Sequence, residues 1–249
     1  ASVNTGVGPD DYIVLYVPDA GEQWVEASDD RLLAVYNRRP ASFGKDHYLL
    51  TNPPSHHGRY QGLEVTVDRA FVHGWRTRFD GALYGARAPG SNRGYTADEN
   101  GAGTLGELFE NPNAAPYARG HQFFDRGYVM KWWSSYDGPR QWHVSAVARY
   151  QDGQPFSRAV VVPDLNQGPE ALEAYRRGRT RFTYTLTVDA RVEKSFTAGR
   201  ATVAGILDVF NLLNTRNEVE ENVLTGPSFR QPTAVQPPRA VRMAFRMRF

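Results

Sequence analysis

Apolar and polar residues alternate one by one along several long stretches of this chain. In "FTYTLTVDARVEKSF" (182–196), one parity carries Phe182, Tyr184, Leu186, Val188, Ala190, Val192 and Phe196, interrupted only by Lys194. The other parity carries Thr183, Thr185, Thr187, Asp189, Arg191, Glu193 and Ser195. Successive side chains of a strand point to opposite faces, so period two predicts a strand with one apolar and one polar face. "FTAGR" supplies a tight turn, and "ATVAGILDVFNLLN" (201–214) returns as the second strand of a hairpin. "YQGLEVTVDRAFV" (60–72) turns through "HG" into "WRTRFDGALYGARA" (75–88). "FDRGYVMKWWSSY" (124–136) passes through "DGPR" into "QWHVSAVARYQDG" (141–153). The chain ends on "VRMAFRMRF", where Val241, Met243, Phe245, Met247 and Phe249 alternate with Arg242, Ala244, Arg246 and Arg248.

The pattern therefore predicts three hairpins and a terminal strand. These strands are long beside the usual globular strand of about 5–6 residues. Tight turns join them on one side. On the other side the connections are long and polar, at 89–123, 154–181 and 215–237. Short turns alternating with long loops are the pattern of an outer-membrane barrel. Local helix is expected in two loops, at "TLGELFEN" (104–111) and at "PEALEAYRRG" (169–178), whose Pro, early Glu, late Arg and final Gly are helix start and stop signals. Before residue 59 the pattern is weaker, with short strands expected at 12–17, 31–36 and 46–50. Aromatic residues gather near strand ends: Tyr60, Phe71, Trp75, Tyr84, Phe124, Trp132, Trp133, Tyr136, Trp142, Tyr150, Phe182, Tyr184, Phe196, Phe210 and Phe249. Such rings form girdles at both membrane interfaces of a barrel.

Composition narrows the picture little further. No stretch approaches the roughly 18 apolar residues of a membrane helix, and mean hydropathy is −0.55. A β-barrel needs only one apolar face per strand, so it remains open. The net charge is +2, too small to argue for nucleic acid. Cysteine is absent, which excludes disulfide and thiolate chemistry. The N-terminus "ASVNTGVGPD" has neither a basic nor an apolar leader region and no initiator Met, and the chain ends on a finished strand. That asymmetry leads to the expectation of a C-terminal piece of something longer.

Candidate chemistry is sparse. "GAGTLG" (101–106) spells G-x-G-x-x-G but follows no strand and precedes Asn111-Pro112, so it reads as a loop. His56 and His57 are adjacent and point to opposite faces, poorly placed to share a metal. His47, His73, His121 and His143 are isolated in sequence and read as surface or lumen residues. Asp10-Asp11 and Asp29-Asp30 lack the calcium-loop pattern and read as solvated turns. No nucleophile elbow is present, so no catalytic residue is nominated, and no cofactor or metal. The polar parity collects Arg76, Arg78, Asp80, Lys131, Arg149, Asp189, Arg191, Glu193 and Asp208. In a barrel these would face inward and pair with one another or with a plug.

Several segments resemble TonB-dependent outer-membrane receptors. "DVFNLLNTRN" (208–217), a long loop and "QPPRAVRMAFRMRF" (236–249) resemble the C-terminal end of that family. "YQGLEVTVDRAFVHGW" (60–75), "FDRGYVMKWW", "VARYQDGQPFS" (147–157) and "LTVDARVEKSF" (186–196) are similar to its strand and turn segments, and come in the same order. The resemblance covers about residues 32–249. It is nearest to the large receptors with a carboxypeptidase-regulatory-like domain at their N-terminus. It implies a barrel of about 22 strands with a plugged lumen that imports a scarce nutrient or chelate, driven through TonB. It also implies that Val241, Met243, Phe245, Met247 and Phe249 form the terminal-strand signal read by the barrel assembly machinery, with the same face meeting lipid. A plug domain and TonB box are missing from this chain, so no gating or coupling residue can be carried over.

The expectation is thus all-β: an antiparallel transmembrane barrel wall of about 7–10 strands with long extracellular loops. Residues 1–58 form a loop-rich region with short strands, and 59–249 form the C-terminal barrel strands. The partners expected are outer-membrane lipid, the assembly machinery, the plug and TonB of a full-length parent, and a small-molecule or peptide substrate. Two rivals stand beside this reading. One is a complete small barrel acting as pore, adhesin or embedded hydrolase. The other is a soluble β-sandwich that binds ligand through its loops.

Overall fold

The computed structural model describes residues 2–19, 31–50, 59–89, 112–113, 119–122, 124–175 and 178–249. In chain order its first strands are β1 (Ser2–Asn4), β2 (Tyr12–Asp19), β3 (Arg31–Arg38) and β4 (Tyr48–Leu50). Then come β5 (Arg59–Val72), β6 (Trp75–Pro89), β7 (Arg119–His121), β8 (Tyr128–Gly138) and β9 (Trp142–Gln151). β10 (Pro155–Phe156), β11 (Ala159–Val162), β12 (Glu170–Glu173) and β13 (Thr180–Arg181) follow. The last are β14 (Thr185–Ala198), β15 (Ala201–Phe210), β16 (Glu218–Glu221), β17 (Pro232–Val235) and β18 (Ala240–Arg248). The fold is all-β, and every strand pairing is antiparallel.

Seven of these strands form one meander, in the spatial order β18-β15-β14-β9-β8-β6-β5, with short β7 added beside the outer end of β6. Neighbours in this wall are successive long strands of the chain, as the alternation predicts. Two of its tight turns have two residues. His73 and Gly74 both take positive φ (50° and 82°), the turn geometry that follows the twist of a hairpin. At Gly199 (φ 60°) the chain reverses between Ala198 and Ala201. Between β8 and β9, Arg140 and Gln141 take positive φ in a three-residue turn. The two outermost strands, β5 and β18, do not pair with each other, so the wall is an open sheet.

The connections at 154–181 and 215–237 are folded over their described residues, not extended loops. β11 pairs with β12, β10 with β13 and β16 with β17, while the N-terminal β2–β3 ribbon lies against the first of these. Most of the buried apolar core of the described residues is here. One cluster joins Leu33 to Val160, Ala174 and Tyr175. A second joins Val35 to Val162, Leu165 and Leu172. A third joins Phe156, Phe182 and Val223, with Phe229 packed against it. We call this assembly the cap.

Two sequence expectations fail in the cap. Residues 170–173 are strand, not helix. Leu172 is buried beside Val35 and Val162, and β11 is an Ala-Val-Val-Val segment whose β-branched side chains favour pairing over helix. Phe182 does not belong to the outward face of β14; the strand starts at Thr185, and Phe182 is buried, stacked on Phe156 at 4.7 Å. Short strands before residue 59 occur as expected. The segments 55–58 and 101–111, with their His pair, glycine pattern and expected helix, lie outside the described residues, as does Asp29-Asp30.

Candidate functional site

The register of the wall sorts its side chains onto two faces. One row of opposed residues runs Arg76, Ser135, Ser145, Arg191, Asp208, Arg242 across six strands. The next row on the same face runs Asp68, Arg78, Trp133, Val147, Asp189, and the one after it Thr66, Asp80, Lys131, Arg149, Thr187. All nine charged residues assigned to the polar parity share this face, and many pair there. Arg191 Nε donates to Asp208 Oδ1 at 2.6 Å, and Arg242 Nε donates to Asp208 Oδ2 at 2.9 Å. Arg149 Nη1 donates to Asp189 Oδ2 at 2.8 Å, Arg78 holds Asp80 at 2.9 Å, and Arg246 donates to Glu193. Arg76 lies over the Trp133 ring at 5.5 Å.

The other face is apolar and exposed. On β9, Trp142 and Tyr150 bracket Val144, Ala146 and Ala148; on β8, Tyr136 and Tyr128 bracket Met130, Trp132 and Ser134. In each strand the two rings stand eight residues apart, about 26 Å along the strand at roughly 3.3 Å per residue. Projected at a barrel tilt of roughly 40° this is about 20 Å, close to the apolar band of a barrel wall. Tyr136 opposes Val144, so Trp142 lies one face-step nearer the short turns; Tyr150 is offset from Tyr128 in the same direction. Both aromatic margins thus step together, as tilted strands crossing a level slab require. Trp75 stacks on Tyr136 at 4.9 Å, and Tyr184 on Tyr150 at 5.3 Å. The polar groups on this face are satisfied locally: Trp132 Nε1 donates to Thr77 Oγ1, which donates to the Trp133 carbonyl.

Not every aromatic expected in a girdle sits in one. Tyr60 and Tyr84 stack on the polar face, and Trp133 and Phe210 also belong to it.

The terminal strand extends this surface. Val241, Met243, Phe245 and Met247 occupy one parity of β18, continuous with Val209, Leu207, Gly205 and Val203 of β15. Met243 and Phe245 are 77% and 85% exposed, and Phe249 is more exposed still. β18 pairs only with β15, so its other edge is free among the described residues.

The segment 211–217 has a function that its sequence did not disclose. Asn211, at φ 48°, donates from Nδ2 to the carbonyls of Pro237 (2.8 Å) and Thr215 (3.0 Å). Its backbone N–H donates to Asp189 Oδ1. Asn214 Oδ1 accepts from Arg239 N–H, and Asn217 Nδ2 donates to the Tyr184 carbonyl. The asparagines therefore clamp the outer ends of β14, β15 and the approach to β18. Their spacing was the signal; the distant carbonyls they reach are invisible in sequence.

His121 is not isolated. Its Nδ1 lies 2.6 Å from Asp125 Oδ2, and Arg87 Nε donates to its Nε2 at 3.2 Å, so the ring carries its proton on Nδ1. Asp125 is buried and also accepts from Ala86 N–H, Gly127 N–H and Arg181 Nη2. Burial pushes the Asp125 carboxyl up, but the His121, Ala86, Arg181 and Gly127 donors outweigh it and hold the group below its ordinary value. Arg181 also donates to the carbonyls of Asp125 and Gly153. This latch ties β6, the approach to β8 and β13 together. Among the described residues the recorded partners of the His121 ring are Asp125, Arg87 and Arg181. His143 likewise pairs with Asp137. Asp11 accepts from Gly8 N–H and faces Lys45 at 3.6 Å, a closed turn. Among the described residues no group of His, Asp and Glu could hold a metal ion.

No family model and no curated protein matches the chain. Among solved structures it is similar to the ferric-catecholate import receptor Fiu from K12 E. coli in its closed form, with TM-score 0.43 and 15% identity. The similarity covers 77% of this chain and 21% of that one, so the chain spans about a fifth of that receptor's length.

Proposed function

We propose that this chain supplies part of the wall and outer cap of an outer-membrane receptor barrel, acting in TonB-dependent uptake of a nutrient or chelate. The observation that carries the membrane reading is the exposed apolar face, bounded on β8 and β9 by two aromatic margins that step together. A soluble sandwich would bury that face against a second sheet, and among the described residues nothing covers it. Apolar surface of this extent marks contact with lipid or protein. The free edges of β5 and β18 support a wall completed by further strands, since unpaired backbone groups are not tolerated in hydrocarbon. The uptake reading rests on the ordered resemblance of the terminal segments to TonB-dependent receptors. In that reading residues 59–249 are wall and cap, residues 1–58 join the cap, and Val241, Met243, Phe245, Met247 and Phe249 present the assembly signal. The substrate meets the cap and the polar face, and no residue is catalytic.

These 249 residues hold no cysteine, so each introduced thiol stands alone among them. Single cysteines at Val65, Val67, Val144, Met243 and Phe245, and at Thr66, Asp68, Ser145, Arg242 and Ala244, are introduced into the polypeptide at its native length. A bimane label in vesicles should be quenched by lipid-borne nitroxide at the first set and by aqueous iodide at the second. Equal aqueous quenching at both sets would refute the membrane reading. Uptake is tested separately, by growth on candidate chelates with and without TonB. Growth independent of TonB would leave the wall standing and remove the transport claim.

A further inference from the structure

Within β14 one cation interrupts the apolar outward face. Lys194 opposes Trp142 across β14 and β9, at the aromatic margin nearest the short turns. Its amine lies 5.2 Å from the Trp142 ring centroid and 5.2 Å from that of Phe196, and it donates to the Arg140 carbonyl. No carboxylate lies within ion-pair distance of it among the described residues. Arg140, in the β8–β9 turn, and Arg200, in the β14–β15 turn, are exposed and form no ion pair there either. Lys194 and Arg140 therefore stand together at the foot of the apolar band without a carboxylate partner among the described residues. An ammonium has three donors, and the carbonyl uses one. The rings hold the amine in place without consuming the other two.

We propose that Lys194, with Arg140 beside it, binds the phosphate of a phospholipid in the leaflet at the short-turn end of the wall. The inference rests on the membrane reading above. A phosphate supplies the missing anion, and its acyl chains continue over Val192, Val144 and Ala146 on the same face. A free phosphate offers the same oxygens but nothing for that apolar surface, so the lipid is the favoured source.

The test uses the polypeptide at native length, purified in mild detergent, with bound lipid counted by native mass spectrometry. Phosphatidylglycerol is titrated as the probe. Lys194→Gln should weaken its retention roughly tenfold, the size of one lost charge-assisted bond. Lys194→Arg should keep it, and inorganic phosphate in excess should not displace it. If the Gln variant retains lipid as the natural protein does, while the alternating quench pattern persists, the lysine merely reaches water and the proposal fails. If inorganic phosphate binds and no lipid is retained, the site takes a free anion and the lipid assignment is wrong. Loss of the alternating pattern in the natural protein would instead overturn the membrane reading, and this site with it.

Discussion

Asp208 is the residue whose loss should be felt most in the wall. It is the shared anion of two arginines on neighbouring strands, and its side chain is only 6% exposed. Arg191 and Arg242 are 41% and 58% exposed, so their contacts are partly screened by water. Asp208→Asn keeps the shape and removes the charge. Each charge-assisted contact, worth about 1.5–3 kcal/mol when buried, is discounted to about 0.5–1 kcal/mol at this exposure. The two guanidinium groups both reach Asp208 Oδ2, Arg191 Nη2 at 3.2 Å and Arg242 Nη2 at 2.8 Å. Their charges therefore stand roughly 6–8 Å apart, where repulsion is about 0.5–2.8 kcal/mol for effective dielectrics between 80 and 20. The sum is about 2–4 kcal/mol, concentrated on the attachment of β18 to the wall.

The measurement is urea unfolding from lipid vesicles, followed by the five tryptophans, with gel mobility before and after heating as a second readout. The charge argument makes a further demand. Arg242→Gln in the Asp208→Asn background should recover part of the loss, because it removes one of the stranded cations. Pure shape or packing effects would make the double variant no better than the single. A cost under about 0.5 kcal/mol, or strict additivity of the two changes, would refute the reasoning.

Other outcomes follow from the cap and the terminal strand. Phe156→Ala removes a buried ring stacked on Phe182 and should cost about 3–5 kcal/mol; limited proteolysis should cut the cap while the wall keeps its heat-dependent mobility. Asp125 is held below its ordinary carboxyl value, so its contribution is full above 3.8 and is lost as pH falls through the lower folded value. Acid should therefore expose the cap to pepsin, and Asp125→Asn should be cap-sensitive already at neutral pH. Asn211→Ala loses the Pro237 and Thr215 contacts and strains a positive-φ position; a cost of about 2–3 kcal/mol is expected. Asn211→Gly relieves the strain and should cost less in the same urea titration. Phe245→Asp puts a charge on the exposed apolar parity of β18 and should slow assembly into vesicles, measured by the appearance of the protease-resistant form.

The wall was legible because its physics is local. Each strand carries its own two-residue code, each short turn carries a glycine or a proline, and each strand pairs with the next long one. Nothing about β5, β6, β8, β9, β14, β15 or β18 depends on a partner far away in sequence, so their bounds fall within a few residues of the pattern. Even Lys194, the single break in an apolar face, was visible as an anomaly. What the sequence could not give was the pair of rings on which its amine rests, because Trp142 belongs to another strand.

The cap was illegible for the opposite reason. Its elements are two to eight residues long, too short for periodicity to separate strand from helix. At 169–178 the local signals point to a helix, yet the chain forms a strand there because Leu172 finds Val35, more than a hundred residues earlier, and β11 beside it. The same contest decides Phe182, whose parity assigns it to the wall while Phe156 draws it into the cap. Local rules win in the wall because each long strand keeps one exposed apolar face and pairs with the next long strand; they lose in the cap because its short segments have little else. A fold built this way can change its cap while the register of its wall stays fixed. The residues that join the two parts are then the ones to watch: Asp125, Arg181 and His121 on one side, Asn211 and Asn217 on the other. Variation that alters the cap core but spares these five should leave wall assembly intact, and changing any of the five should uncouple the cap from the strands beneath it.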